Sequence, residues 1–289
     1  MAAEVQIVDG LNVAPRVSPH RQTTLRITDF FELADERRIR VGISRHKKDE
    51  YYSPRHRHNF DQVRFTIEGQ VKYGPITTQA GDCLYFPEGV FYGPTEIHSD
   101  EALTMTIQTQ GPSWSYFPHR PDLERATAEV AEKAELDRER GRFRWPDGKY
   151  QDSYEAAWEH LTGEKLVYPP ARHQHPCLLR SASFEWVPSP RAPGVSVKAL
   201  ARFNESGPAV NLTRLEAGSK LPGGESHCHQ VATVISGVAH YGDADAPRGT
   251  MLYYPPGCDH DALATAEECV LLVIQFQPKA QPALAAWVA

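Results

Sequence analysis

The chain has 289 residues, enough for about two domains of ordinary size, each with its own core. Thirty-one basic against 37 acidic residues leave a net charge of −6, which gives no basic surplus for sequence-independent nucleic-acid binding. The longest unbroken apolar run, Ala283–Ala289, is seven residues, and the next, Cys269–Ile274, is six; both are far short of the roughly 20 needed to span a membrane. The opening Met1-Ala2-Ala3-Glu4 has neither the basic start nor the apolar stretch of a secretory signal. Five cysteines (83, 177, 228, 258, 269), an odd number without CxxC spacing, argue for reduced thiols and against a disulfide frame or a zinc ribbon. The expectation is a cytoplasmic protein with neither nucleic acid nor membrane as partner.

Along the chain, residues 39–46, 62–67, 70–73, 83–86 and 103–109 are short runs rich in Val, Ile, Thr, Tyr and Phe between Gly and Pro turns, and are predicted strands. A charge-rich stretch follows. Leu123, Ala126, Val130 and Ala134 recur at near-helical spacing, predicting a helix over 121–140 with Gly141 as its stop and a solvated outer face. A second helix is predicted over 153–161, opened by Asp152 and Glu155 in a capping pattern, with Tyr154, Trp158 and Leu161 on one face. Strand-like runs then return at 183–187, 195–202, 209–215, 231–235, 250–254 and 269–276. Many short strands in each half suggest two sandwiches or barrels.

The halves repeat each other. Gln62–Gly69 is echoed by Gln230–Gly237 at an offset of 168 residues. The same register matches Tyr73-Gly74 to Tyr241-Gly242, Gly81 to Gly249, Leu84-Tyr85 to Leu252-Tyr253, and Pro87 and Gly89 to Pro255 and Gly257. From 62 to 93, 11 of 32 positions are identical without a gap, so a duplicated fold is the economical explanation.

These residues resemble the cupin superfamily, whose motifs read G-x5-H-x-H-x3,4-E-x6-G and G-x5-P-x-G-x2-H-x3-N. The first half carries His56-Arg57-His58, Gln62 and Gly69, then Gly81, Pro87-Glu88-Gly89 and Tyr92. The second carries Gly249, Pro255-Pro256-Gly257 and His260. The resemblance implies an all-β bicupin: two tandem cupin β-barrels of the double-stranded β-helix, or jelly-roll, type joined by a short helical linker. The expected organisation is an N-terminal arm at 1–24, a barrel at 25–112, the linker at 113–174 and a second barrel at 175–289.

In metal-binding cupins the two histidines, the Glu and the later His hold one divalent ion. Here Gln62 stands at the Glu position and Tyr92 at the last His position. Residues an even number apart share a strand face, so His56, His58 and Gln62 can all point into one barrel and are the first candidate metal ligands. The competing reading is a basic surface loop, Pro-Arg-His-Arg-His. Tyr92 is a candidate ligand, substrate contact or proton carrier. Arg64, two residues after Gln62, either clamps a substrate carboxylate or enolate or pairs with Asp61, Asp82 or Glu88.

The second half offers His227-Cys228-His229, but in the repeat register these histidines fall on Asn59 and Asp61. A bulge would have to correct the phase before His227, His229 and His260 could form a three-histidine site. Cys228 reads as inert. His173 and His175 lie in a Pro-rich approach with no partner motif, and His46, His98 and His240 read as packed or solvent-facing.

A site of two His and one Gln gives a divalent metal no protein negative charge, which suits an anionic enol or keto-type organic substrate. The resemblance implies one divalent metal, Fe(II) favoured with Mn(II), Ni(II) or Zn(II) as alternatives, and a dioxygenase-type enzyme. A metal-dependent isomerase or lyase, and a non-catalytic small-molecule-binding or sensor bicupin, are the other expected functions, with a homodimer as the expected assembly.

Overall fold

The computed structural model describes residues 4–14, 16–17, 24–32, 38–204 and 207–277. These residues separate into two units, one made of 14, 16–17, 24–32 and 38–179, the other of 4–13, 180–204 and 207–277. Each is built mainly of β-strands, and the molecule has only two α-helices among the described residues. No helix among them is long and apolar enough to cross a membrane.

In the first unit a seven-stranded sheet runs in the order Cys177–Arg180, Asp82–Phe86, Asp61–Glu68, Glu101–Thr109, Arg38–Lys47, Thr24–Glu32 and Arg16–Val17. A four-stranded sheet is ordered Tyr52–Ser53, Thr95–Ile97, Gln70–Tyr73, Ile76–Gln79. The strands form where the sequence alternates. On Arg38–Lys47, Ile39, Val41 and Ile43 are fully buried on one face, while Arg40, Gly42, Ser44 and His46 share the other and line an internal cavity. Gly69, which ends the first motif, has φ +74 and lies so close to Glu101 O that a Cβ would sit 2.2 Å from it. Its repeat partner Gly237 has φ +78 and the same crowding against Glu268 O.

The second unit repeats the plan. Its seven-stranded sheet contains His229–Ser236 between Thr250–Tyr254 and Cys269–Phe276. The sheet's outer strand at that side is Gln6–Asp9, which pairs Gln6 with Tyr253 and Asp9 with Thr250. Part of the expected N-terminal arm is thus a strand of this sheet. The expected strand over 183–187 is instead a 3-10 turn at Ser181–Ser183 followed by the two-residue strand Val187–Pro188.

The middle segment differs most from expectation. Helix α1 spans Arg120–Ala131 and stops well before Gly141, which has φ +62 and closes the tight turn between the strands Glu135–Asp137 and Arg142–Arg144. Helix α2 spans Ser153–Thr162, with the Asp152 carboxylate accepting from the amides of Tyr154 (2.9 Å) and Glu155 (3.2 Å). Neither helix is a solvated linker. Leu123, Ala126, Tyr154, Ala157 and Trp158 pack with Phe60 and Phe117 in one buried cluster. Asp122, Arg125 and Glu129 of α1 lie away from that cluster, Arg120 and Glu124 border the cavity, and the helices join the first barrel's unit as a cap on the cavity wall.

Candidate functional site

Within the Asp61–Glu68 strand, Gln62, Arg64 and Thr66 alternate with the buried Val63, Phe65 and Ile67. The neighbouring Glu101–Thr109 strand places Gln108 opposite Gln62 and Thr106 opposite Arg64. These inward faces border a cavity of about 130 Å³, room for several waters.

The structure brings His56, His58, Gln62 and Tyr92 together there. His56 and Tyr92 are held by a backbone bridge, His56 N to Tyr92 O and Tyr92 N to His56 O, each 3.0 Å. Their side chains meet again: His56 Nε2 lies 2.8 Å from Tyr92 Oη. His56 Nδ1 is 2.6 Å from Pro54 O, and since a carbonyl only accepts, that nitrogen carries the proton and Nε2 presents its lone pair. Tyr92 O–H therefore donates to His56. Gln62 Nε2 donates to Tyr92 Oη (3.2 Å), and Gln108 Nε2 donates to Gln62 Oε1 (2.8 Å). His58 Nδ1 is 3.3 Å from the same hydroxyl, with its ring stacked on Phe60 (centroids 4.3 Å, 14°) and edge-on to Tyr154. Tyr154 is fixed by donating to Asn59 Oδ1 at 2.7 Å. The basic-loop reading of these histidines does not hold, because His56 is 3% exposed and both rings line the cavity.

Arg64 faces the cavity without a carboxylate. Asp61 accepts instead from Tyr85 Oη (2.7 Å) and Glu88 N (2.9 Å), Asp82 accepts from Gln79 N, and Glu88 accepts from Ser113. The three expected counter-ions are all engaged elsewhere. The guanidinium is surrounded by the rings of Tyr73, Phe86 and Tyr92 at 5.1, 5.5 and 5.7 Å. Its Nε is buried with no hydrogen-bond partner. Burial works against its charge, but the hydroxyls of Tyr73, Tyr92 and Tyr51 outweigh burial, and the group is held charged.

Sequence reasoning missed several cavity residues. His46 faces the cavity, with its pKa lowered to about 4 by burial first and by Arg64 second. The signal was available: Ile39, Val41 and Ile43 alternate with Arg40, Gly42 and Ser44, and His46, two residues on, shares the second face. Gln108, Arg120 and Tyr154 also border the cavity, the last two supplied by the helical segment. Arg120 donates to Glu124 at 2.7 Å across one helical turn.

The second barrel does not assemble its expected three-histidine site. His229 lies 2.7 Å, through Nδ1, from Tyr253 Oη, the same position at which Asp61 takes the hydroxyl of Tyr85 in the first barrel. The repeat register therefore holds and no bulge rotates His229 inward. His260 packs on Tyr254 (4.7 Å), the next residue along the strand, and so lies on the opposite sheet face from His229. The His227 side chain is 86% exposed. The inward positions of this barrel are filled by Ala232, Val234, Leu252, Tyr254, Leu263, Leu271 and Val273, one packed apolar core.

Two seven-stranded sheets on one repeated plan, each with an amide pair at the same inward place, settle the architecture: Gln275 Nε2 donates to Gln230 Oε1 at 2.8 Å, as Gln108 does to Gln62. The chain has a bicupin fold. The family model described as the ChrR Cupin-like domain matches residues 174–280 of this bicupin. No curated protein matches the chain. Among solved structures, it is similar to a provisionally assigned dioxygenase from Nostoc punctiforme (13% identity, 97% of this chain and 85% of that one, TM-score 0.62). It is also similar to a provisionally assigned glyoxylate-induced protein from Pseudomonas aeruginosa (11%, 97% and 93%, 0.60). A third is an oxalate decarboxylase mutant from Bacillus subtilis (16%, 96% and 78%, 0.59). At these identities the likeness establishes the fold.

The donor set of the first barrel fits a divalent metal. Two ligands at right angles on an ion with bonds of about 2.1 Å lie about 3 Å apart, and Tyr92 Oη is 2.8 and 3.3 Å from His56 Nε2 and His58 Nδ1. The His56 tautomer is already the one a metal requires, set by its bond to Pro54 O.

Proposed function

We propose that this bicupin is a metal-dependent enzyme whose first barrel acts on a small organic carboxylate or enolate, in its finer form an Fe(II) dioxygenase. The observation that carries the proposal is the convergence of His56, His58 and Gln62 on Tyr92 Oη beside Arg64, a cation whose Nε is buried with no acceptor. His56, His58 and Tyr92 would hold the ion, with Gln62 turning its amide oxygen inward as a fourth, neutral donor. A divalent metal there supplies Lewis-acid polarisation of substrate oxygens and, as iron, reaction with dioxygen.

The chain's own residues do the remainder. Arg64 draws the substrate's negative charge to the barrel interior, and the rings around it keep water from competing for it. Phe60, Tyr154 and Leu123 close the wall above His58. The relatives named above, a provisionally assigned dioxygenase and an oxalate decarboxylase, are in keeping with this chemistry.

One observation favours a second reading. Tyr92 O–H points at the lone pair of His56 Nε2, an arrangement that can hold and return a proton in isomerase or lyase chemistry without net oxidation.

Metal content of anaerobically purified protein, beside His58→Ala and His260→Ala, tests the metal claim. About one ion per chain, lost in His58→Ala and kept in His260→Ala, is expected; no metal after loading with Fe(II), Mn(II), Ni(II) or Zn(II) refutes it. Oxygen uptake with a panel of keto and enol acids separates the two chemistries, since turnover without oxygen consumption removes the dioxygenase and keeps the Tyr92–His56 pair.

A further inference from the structure

The duplication provides an internal control on what the fold itself requires of a barrel interior. Arg64 pairs with Thr106 and Thr66 with Thr104 in the first barrel; in the second, Ala232 pairs with Val273 and Val234 with Leu271. Thr95 faces Tyr73 across its strand pair, and Leu263 faces Tyr241 in the same way. Every one of these second-barrel positions belongs to a packed apolar core, so the architecture is content with Ala, Val and Leu where the first barrel carries Arg and Thr. Burying hydroxyls and a guanidinium whose Nε has no acceptor costs stability. Part of that cost falls on the cavity: the Thr95 hydroxyl and Arg64 Nε are buried there with no hydrogen-bond partner, whereas the buried unmet hydroxyls of the second barrel, Thr233 and Thr250, are not members of its packed apolar core. Ser44 and Thr104, directly opposite each other on adjacent strands, add two more hydroxyls to the same wall. His46 beside them offers one donor and one acceptor as a neutral imidazole.

We infer that the ligand of the first barrel is a hydroxylated short-chain carboxylate, with its carboxylate on Arg64 and its hydroxyls on the wall formed by Thr95, Ser44 and Thr104. The inference rests on the anion-site reading above and adds to it the class of substrate. An apolar or aromatic acid would leave the Thr95 hydroxyl unpartnered and would set its own carbon chain against hydroxyls. A hydroxy acid satisfies both sides at once, and sites of this kind discriminate strongly against the analogue that lacks the hydroxyl.

The probes are threonate and butyrate, four-carbon acids that differ in hydroxylation, titrated calorimetrically into the full-length protein as purified and again after chelation. Threonate is expected to bind at least about 30-fold more tightly, and Thr95→Val and Thr104→Val each to reduce that ratio about 10-fold while leaving butyrate affinity and the circular dichroism unchanged. Equal affinities in the unmodified protein, or valine variants that weaken both acids alike, overturn the inference. Arg64→Met separates the two claims. Loss of both acids in that variant with a flat threonate-to-butyrate ratio in the parent removes only the hydroxyl preference. Unchanged binding of both acids in Arg64→Met removes the anion site, and the substrate class with it.

Discussion

Replacing Arg64 by methionine makes the protein more stable when no anion is bound and less stable, relative to the parent, when one is. The structure sets both signs. Arg64 Nε is buried with no acceptor, and an unmet buried donor costs about 1–3 kcal/mol. The three ring faces at 5.1–5.7 Å return part of this, at about 0.5–2 kcal/mol for a cation over an aromatic face. Methionine keeps contact with the same rings through its sulfur and carries no charge to desolvate. The net expected gain for Arg64→Met in buffer free of carboxylate, sulfate and phosphate is about 1 kcal/mol. Ligand reverses the order: an anion at 100 times its dissociation constant stabilises the parent by about 2.7 kcal/mol and a non-binding variant not at all. Urea unfolding with and without threonate reads this as two midpoints that exchange places. A variant less stable than the parent in the anion-free buffer would refute the reasoning, because Arg64 would then be held by the fold itself and not reserved for a ligand.

The cavity also sets a pH dependence. His46 is held neutral in the folded state down to about pH 4, whereas its unfolded pKa is near 6.5. Between those values the unfolded chain binds the extra proton, so stability is intact above pH 6.5 and falls by about 2–3 kcal/mol as the pH drops towards 4. Urea midpoints measured across pH 4–7 should show this slope in the parent and lose most of it in His46→Gln; an unchanged slope places the effect elsewhere. In the second barrel, His229→Ala removes the partner of a buried tyrosine hydroxyl. It should cost about 1–3 kcal/mol in unfolding experiments while metal content stays at the parent's value. A loss of metal would restore His229 as a ligand.

Much of the first barrel was legible because its signals are local. Strand alternation predicted 39–46, 70–73 and 103–109 to within two residues of the observed strands, and even spacing placed His56, His58, Gln62 and Arg64 at one cavity. The helical segment was harder to read. Its buried face is made of Leu123, Ala126, Thr127 and Val130 among many charges, a weak amphipathic signal that fits a solvated helix equally well. What decides its role is that Phe60 and Phe117 need cover, and nothing in the helix sequence reports that. The HxH at 227–229 misled for the opposite reason. Local spelling matched a ligand motif, but the 168-residue register put His229 on the position of Asp61, and that register proved the stronger signal.

The two barrels show what duplication allows. Both keep the elements that close the sheets: the glycine that follows the first long strand, the tyrosine hydroxyl locked by Asp61 or His229, and the glutamine pair joining two strands. They differ at the remaining inward positions, where one copy carries Arg64, Thr95 and Thr106 and the other Ala232, Leu263 and Val273. Apolar filling contributes about 25 cal/mol per Å² of buried surface, so the second barrel gains stability at positions where the first leaves polar groups unmet. A chain with one well-packed barrel can carry a partner barrel whose interior is poorly satisfied until a ligand arrives. The polar interior is then the part of this fold that only function explains, and the packed copy beside it in sequence shows that the fold did not require it.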